Sequence, residues 1–463
     1  MAFEDPATNM TIEKRHALSR RLLLGAGAGS LLLPGMGFAQ SAFAQSAGSN
    51  DAINVSGAQN APIPIAIAPF TDGSSNASQI GAQITQVISD DLSHCGLFRP
   101  IDPLSFVPNS MANGVPVFSN WTILGAQALV TGSASDQGGG QIRVEYRLWS
   151  VQQQKQLQGT AYTTTEANSR RIAHIIADDV YQQLIGEKGY FDTRVAYISV
   201  AGSPTSPNRR LAVMDYDGAN NRFLTSGQSM ALSPQFSPTS QKLAFMSFEG
   251  NSPRVYLFDL QSGQRQVVGS FGDMTFGPRF SPDGASLLMS VSHGSGAAIV
   301  KVDLASRAVT ELTDANSINV TPCYSPDGSK IVFNSDRDGD QQLFVMGADG
   351  SGAKRISFGN GRYDEPVWST RGDLIAFTRL GEGGFAIGVM QPDGSGERIL
   401  SQGFLVEGPT FCPNGRVIMF YRETPLHIGH DSTLVTIGID GFNERAIPTP
   451  TNATDPSWSP LLS

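Results

Sequence analysis

A short phrase that recurs six times constrains this chain more than any other feature. It is clearest in Pro322–Phe333, which reads PCYSPDGSKIVF. The leading prolines of the six copies are spaced 44, 44, 44, 43 and 47 residues apart, and they are Pro234, Pro278, Pro322, Pro366, Pro409 and Pro456. A period of this length is typical of repeat proteins, in which one unit cannot bury its apolar face without its neighbours. The second half of the chain is therefore expected to be a repeat array.

Turn signals divide each unit into four strands. Ser325-Pro-Asp-Gly328 predicts a type I turn. Proline presets φ at the second position of the turn, and glycine can adopt the backbone conformation that the fourth position requires. The segment Asp336–Asp340 joins the second and third strands; it resembles part of a calcium loop but lacks the glutamate and the flanking helices of one. Asp349-Gly350 joins the third and fourth strands. Six units of four strands specify an all-β six-bladed β-propeller.

The two ends of the array complement each other. Arg194–Val200 matches the strand that follows the turn in other units, such as Lys330–Ser335. The last phrase stops at Ser459-Pro460 without such a strand. The C-terminal segment is therefore predicted to supply the innermost strand of the blade whose other strands open the array, which closes the ring.

Upstream of the array, the hydrophobic pattern indicates a small α/β domain over residues 61–190, so that the propeller spans residues 191–463. Ile63–Phe70 alternates like a strand, and Asn76 is expected to cap an amphipathic helix from Ser78 to His94. A helix that feeds a strand, a β-hairpin and a second long helix are expected to follow, at Trp121–Gly132, Gln141–Thr164 and Ser169–Ile185.

Residues 1–44 are predicted to be a cleavable export signal. Ser19-Arg-Arg-Leu-Leu-Leu24 precedes a Gly/Ala/Leu-rich run, and Ala42-Phe-Ala44 has the small-x-small pattern of a cleavage site. The paired arginines fit both the twin-arginine and the general secretory route, so the route stays open. Residues 45–60 are expected to form a flexible N-terminal arm, and the mature protein is expected to be periplasmic.

Composition narrows the classes of function. A net charge of −9 and a pI near 5.2 argue against nucleic acid as a partner, because phosphate binding requires a basic surface. The cysteines Cys95, Cys323 and Cys412 form no C-x-x-C pair, so we expect three buried free thiols and neither disulfides nor a zinc site. The chain contains no G-x-S-x-G and no H-E-x-x-H motif. We therefore expect no catalytic residues, no metal and no cofactor.

The histidines have ordinary interpretations. His174 lies on the predicted helix Ser169–Ile185 and is interpreted as a packed helix histidine rather than a base. His427 and His430 lie in a loop between strands, where they could contact a partner.

The loops that enter the innermost strands are the candidate binding surface. They surround the central channel and combine aromatic residues, Met, Asn and carboxylates, a mixture that suits peptide or protein recognition. The alternatives are ordinary solvated loops, an accessory propeller of a hydrolase or peptidase, and a glycan-binding propeller suggested by aromatics such as Tyr363.

The whole mature sequence resembles the TolB family of the periplasmic Tol-Pal system. The resemblance rests on the propeller units and on five upstream segments in order: Pro62–Ile67, Gly125–Gly132, Tyr146–Trp149, Arg170–His174 and Phe191–Tyr197. It implies a non-enzymatic, monomeric scaffold. The implied partners are a lipoprotein like the peptidoglycan-associated Pal, bound by the propeller, and an inner-membrane protein like TolA, bound by the N-terminal arm. The implied role is in outer-membrane integrity and in constriction during cell division.

The same resemblance implies the binding residues. In the arm they are Asp51, Ile53 and Val55. On the propeller rim they lie close to the leading prolines: Met274, Thr275, Phe276, Gly277, Asn319, Val320, Thr321, Tyr363, Asp364, Glu365 and Glu407. Met274 stands where the family is expected to carry histidine.

Overall fold

The computed structural model describes residues 61–70, 75–112, 114–203, 206–249, 253–269, 271, 275–426 and 429–462. The predicted export signal, residues 1–44, and the predicted arm, residues 45–60, lie outside the described residues. Among the helices that are described, none has the length and apolar character needed to cross a membrane.

The N-terminal part is a five-stranded mixed sheet with two long helices packed on one face. In chain order its elements are β1 (Ile63–Ile67), α1 (Ser75–His94), β2 (Phe98–Pro100), β3 (Met111–Ala112), β4 (Val115–Pro116), α2 (Phe118–Ile123), β5 (Ala128–Gly138), β6 (Gln141–Ser150), β7 (Lys155–Thr165) and α3 (Ser169–Ile185). Short 3-10 turns lie at Pro103–Ser105 and Glu166–Asn168. The sheet order is β2-β1-β5-β6-β7, with β1 parallel to both neighbours and the hairpins antiparallel.

Apolar side chains at helical spacing determine which faces of α1 and α3 are buried. Ile84, Ile88 and Leu92 of α1 are fully buried in the same core as Ile176 and Val180 of α3. Helix α1 begins at Ser75, so the predicted start at Ser78 was wrong by one turn. Helix α3 ends as predicted, because Gly186 adopts a left-handed backbone with φ 83° and donates its amide to the Gln182 carbonyl.

Six four-stranded antiparallel sheets follow in the described residues. Their strands are β8 (Arg194–Ser203), β9 (Ser206–Asp215), β10 (Arg222–Phe223), β11 (Ala231–Phe236), β12 (Lys242–Ser247), β13 (Arg254–Asp259), β14 (Arg265–Gly269), β15 (Thr275–Phe280), β16 (Ser286–His293), β17 (Gly296–Asp303), β18 (Val309–Glu311), β19 (Asn319–Tyr324), β20 (Lys330–Ser335), β21 (Gln342–Gly347), β22 (Lys354–Arg355), β23 (Arg362–Trp368), β24 (Ile375–Gly381), β25 (Gly384–Met390), β26 (Arg398–Gly403), β27 (Leu405–Phe411), β28 (Val417–Pro425), β29 (His430–Gly438), β30 (Arg445–Ile447) and β31 (Asn452–Trp458). The prediction of an α/β part followed by a six-bladed propeller is confirmed.

The last strand closes the ring, as predicted. The first blade has the order β10-β9-β8-β31, so its innermost strand comes from the C-terminal segment. Strand β31 runs antiparallel to β8, with Asn452 opposite Val200 and Trp458 opposite Val195. This pairing joins the two ends of the array through main-chain hydrogen bonds.

The α/β part and the propeller share one hydrophobic core. Tyr181 of α3 packs edge-on against Tyr190, and Tyr190 packs edge-on against Trp458 of β31. The indole nitrogen of Trp458 donates to the Thr193 hydroxyl at 2.8 Å. The first blade is therefore attached to the α/β part through aromatic packing rather than through a linker alone.

The Ser-Pro-Asp-Gly segment forms the turn that its residues predict. The Gly328 amide donates to the Ser325 carbonyl at 2.9 Å, and Gly328 has φ 72°. The expectation of three buried thiols was wrong: Cys412 is buried, whereas Cys95 and Cys323 are half-buried because both lie at the edges of their hydrophobic clusters.

Candidate partner-binding rim

Each innermost strand carries a β-bulge next to its leading proline. The pairing register of β11, β15, β19, β23, β27 and β31 shifts there. The residue before each proline has a left-handed backbone, with φ between 48° and 68°, and the six are Ser233, Gly277, Thr321, Glu365, Gly408 and Asp455. This backbone costs a residue with a Cβ atom about 1 kcal/mol or more, most of all a β-branched one. Four of the six residues, all except Gly277 and Gly408, therefore carry backbone strain in the innermost strands.

The predicted rim residues lie in strands rather than in the entering loops. Asn319–Thr321 begin β19, Tyr363–Glu365 lie in β23, and Glu407 lies in β27. The prediction of loops was wrong here because each bulge interrupts the hydrophobic alternation while the strand continues to pair on both sides of it.

Hydrogen bonds link the rim positions of three successive blades. The Thr321 hydroxyl and the Glu365 amide both donate to Asp364 Oδ1, at 3.0 and 2.7 Å. Glu365 Oε2 accepts from the Gly408 amide at 2.7 Å and from the Thr378 hydroxyl at 3.1 Å. Both carboxylates are thus held in fixed positions by neighbouring strands.

These carboxylates belong to a crowded acidic group. Burial, followed by the charges of Glu407, Asp364 and Asp455, raises the pKa of Glu365 to about 8. Burial also raises the pKa of Asp364. Glu407 accepts a hydrogen bond from the Tyr421 hydroxyl at 2.5 Å. The wall of innermost strands therefore crowds carboxyl groups whose ionisation is unfavourable, and a partner with hydrogen-bond donors or positive charge would favour their ionised forms.

Three predicted rim residues are buried: Asn319, Tyr363 and Glu407, of which Glu407 is 9% exposed. Asn319 is fully buried; its amide nitrogen donates to the carbonyls of Ala297, Asp314 and Ser317, and its oxygen accepts from Ser335 and Arg337. Tyr363 is fully buried, and its hydroxyl donates to Glu397 at 2.9 Å. Neither the Asn319 nor the Tyr363 side chain is accessible to a partner, so each supports a strand whose neighbouring rim positions are half-buried.

The remaining predicted positions have different outcomes. Thr275 and Phe276 lie in β15, and Gly277 forms the bulge of that strand. Met274, His427 and the arm residues Asp51, Ile53 and Val55 lie outside the described residues. His430 begins β29 and stacks on Phe404 with ring centroids 5.6 Å apart.

The predicted rim residues lack three of the six left-handed bulge residues: Gly408, and both Ser233 and Asp455 in blades for which no rim residue was predicted. All three precede a leading proline, as Thr321 and Glu365 do, so their position in the repeat is the signal that could have identified them.

One group of described residues has the composition of a metal site. Single ligand atoms of Asp91, His174 and Asp217 all lie within 4.8 Å of one another. Protein groups already occupy the carboxylates, because Asp91 accepts from Tyr216 and lies 2.7 Å from the His174 ring, while Asp217 pairs with Arg170. We therefore assign no metal there; His174 is packed, as predicted.

Comparison with known proteins agrees with this architecture. The family model of the TolB amino-terminal domain matches residues 51–157, and that of the TolB beta propeller domain matches residues 181–462. The chain is 52% identical to the Tol-Pal system protein TolB of Gluconobacter oxydans (strain 621H) over 448 aligned residues. This alignment covers 96% of each chain. The crystal structure of TolB from Acinetobacter baumannii is similar with a TM-score of 0.74 and 28% identity, covering 86% of this chain and 97% of that one. The chain therefore belongs to the TolB family.

Proposed function

We propose that this chain is a non-enzymatic periplasmic scaffold of the Tol-Pal system. The support is its 52% identity, along nearly its whole length, to a relative that carries the name Tol-Pal system protein. Membership of such a system implies contact with its other components. In this role the protein would support outer-membrane integrity and the constriction of the outer membrane during division.

The propeller rim would bind a Pal-like lipoprotein. The observation that carries this proposal is the acidic group around Glu365, which lies among left-handed bulges and where burial, followed by the neighbouring carboxylates, raises the pKa of Glu365 to about 8. Strain and unfavourable charge of this kind cluster at binding sites, where a ligand relieves them. Direct contacts would come from Val320, Thr321, Asp364 and Glu365, from residues 275–277 of β15 and from Met274, which precedes that strand; Glu407, which is 9% exposed, would act through its charge. Asn319 and Tyr363 would hold the strands in place.

The N-terminal arm would bind a TolA-like inner-membrane protein, using Asp51, Ile53 and Val55. A short segment with two apolar side chains among polar ones suits recognition that orders the segment on binding. The protein would then be a monomer that carries one partner on the propeller and another on the arm.

Calorimetric titration with the periplasmic domain of the Pal-like protein tests the rim. We expect Glu365→Lys to weaken binding at least tenfold, about 1.4 kcal/mol or more, because it puts a positive charge where a donor or a positive charge of the partner would meet carboxyl groups. Glu365→Gln keeps the shape and should weaken binding less. Glu311→Gln is the control, since Glu311 is exposed on the outermost strand β18.

Equal affinity of the wild type and Glu365→Lys, with both folded, would remove the rim from the interface. A screen on peptide and ester substrates addresses the hydrolase alternative, and turnover would contradict a scaffold. The glycan alternative has less support, because Tyr363 is buried; capture on peptidoglycan without the lipoprotein would restore it.

A further inference from the structure

A buried histidine joins both long helices of the α/β part to the first blade. His174 on α3 is 2% exposed, and its Nδ1 lies 2.7 Å from Oδ2 of Asp91 on α1. Asp91 is fully buried, and its other oxygen accepts the Tyr216 hydroxyl at 2.5 Å. Tyr216 directly follows β9 of the first blade. A single carboxylate is thus held from one side by the α/β part and from the other by the propeller.

The His174 ring has an unpaired nitrogen and lines a cavity. Nε2 has no hydrogen-bond partner and lies 4.0 Å from Asp217 Oδ2. His174 lines a cavity of about 240 Å³ whose lining also includes the exposed residues Asn168 and Arg222. Because buried His174 and exposed residues line the same cavity, solvent protons have a route to the region of the ring.

The charges around the ring favour its protonated form. The segment that ends β9 and follows it supplies Asp215 and Asp217, α1 supplies Asp91, and the segment after α3 supplies Asp192. The nearby cations on α3 are Arg170, which pairs with Asp217, and Arg171, which pairs with Asp192 at 3.2 Å; Arg194 and Arg222 line the outer cavity.

The pKa of the ring reflects this balance. Burial lowers the pKa of His174, but the charges of Asp91, Asp217 and Asp215 outweigh it and raise the pKa to about 9. A metal ion at Nε2 would meet Asp217 already paired with the Arg170 guanidinium, and that positive charge opposes a second cation.

We propose that the His174 imidazolium, held between Asp91 and Asp217, is a proton-dependent latch that tightens the packing of the α/β part on the first blade and loosens it when the proton is lost. Loss of the proton leaves the buried Asp91 carboxylate without a charged partner on α3, and a buried carboxylate in that condition is strongly destabilising. The Tyr216 hydroxyl is then the remaining link between Asp91 and the blade.

The sign of the pH dependence follows from the raised pKa. The unfolded chain has an ordinary histidine pKa near 6.5, whereas the folded ring has one of about 9. The stabilisation is therefore complete below about pH 6.5 and is lost as the pH rises through about 9.

Two measurements on the full chain test the latch. The histidine ring proton signal that disappears in His174→Gln should titrate in the wild type with an apparent pKa near 9. Small-angle scattering should show a larger radius of gyration for the wild type at pH 10 than at pH 7, and His174→Gln should show the larger radius already at pH 7. His293→Gln is the control, because the His293 ring is 54% exposed.

A second variant keeps the test independent of whether His174→Gln folds. Asp217→Asn leaves the ring in place, and it should shift the titration of His174 to lower pH. A His174 pKa at or below 6.5 in the wild type would overturn the proposal, as would a radius that does not change with pH. Zinc titration separates a proton from a metal: zinc binding to the wild type that His174→Gln abolishes would also overturn it.

Discussion

At the scale of single residues, tertiary contacts outweigh local preference. Gly81 lies in the middle of α1, where alanine would be preferred by about 1 kcal/mol on helix propensity alone. A Cβ atom at this position would lie 1.6 Å from the Phe70 carbonyl oxygen, far inside contact distance. The helix can therefore pack this closely against Phe70, in the segment that follows β1, only with glycine there.

We predict that Gly81→Ala lowers the free energy of unfolding by about 1–3 kcal/mol, because the backbone of Phe70 or the helix must move. Chemical denaturation of the full chain measures the change. Gly383→Ala is the matched control, since a Cβ atom there meets nothing within 4 Å, and it should leave stability nearly unchanged. A Gly81→Ala protein as stable as the wild type would show that α1 packs less closely than this.

At the scale of elements, the six innermost strands are equivalent in sequence but not in context. Trp368 of β23 and Trp458 of β31 occupy the same position of the repeat and are almost equally buried, 7% and 6% exposed. Trp368 donates to the Gly372 carbonyl of its own blade, whereas Trp458 donates to Thr193 and stacks on Tyr216. The second tryptophan therefore holds both the ring closure and the contact with the α/β part.

We predict that Trp458→Ala and Trp368→Ala each destabilise the protein by about 3–5 kcal/mol, the usual cost of removing a buried tryptophan side chain. The two variants should differ in which strands lose protection. Amide hydrogen exchange should rise in β8 for Trp458→Ala, because β31 loses its anchor, and in β23 and β24 for Trp368→Ala. Equal protection of β8 in both variants would mean that main-chain pairing alone closes the ring.

At the scale of the whole molecule, one hydrophobic core crosses from the α/β part into the propeller. It contains Ile88 of α1 and Tyr181 of α3 together with Met214, Tyr216 and Trp458 of the first blade. Neither part can complete this core alone, so their unfolding is expected to be linked.

We predict that the full chain unfolds in one cooperative thermal transition at pH 7. A fragment of residues 61–190 is expected to unfold at a lower temperature than the full chain. Calorimetry compares the unfolding temperatures of the full chain and of this fragment. The propeller fragment, residues 191–463, is measured in the same way. Two separate transitions in the full chain, with the lower one matching the fragment, would show that the shared core contributes little coupling.

The repeat period, the turn residues and the unmatched ends of the array were enough to predict six blades, four strands in each and the closing strand. These features are local or strictly periodic, so the sequence carries them directly. The same holds for α3, whose apolar stripe and Gly186 predict its course. Position within the repeat also identified Thr321, Asp364 and Glu365 as neighbours of the channel.

Tertiary structure alone decided which of those neighbours are exposed and which distant residues meet. Asn319 and Tyr363 were predicted to be rim residues, but neighbouring loops and strands bury them. His174 lies 83 residues from Asp91, and Asp91 lies 125 residues from Tyr216. No local pattern reports such a contact, because it depends on how α1 and α3 dock on the first blade; that docking is set by side-chain packing across the whole core.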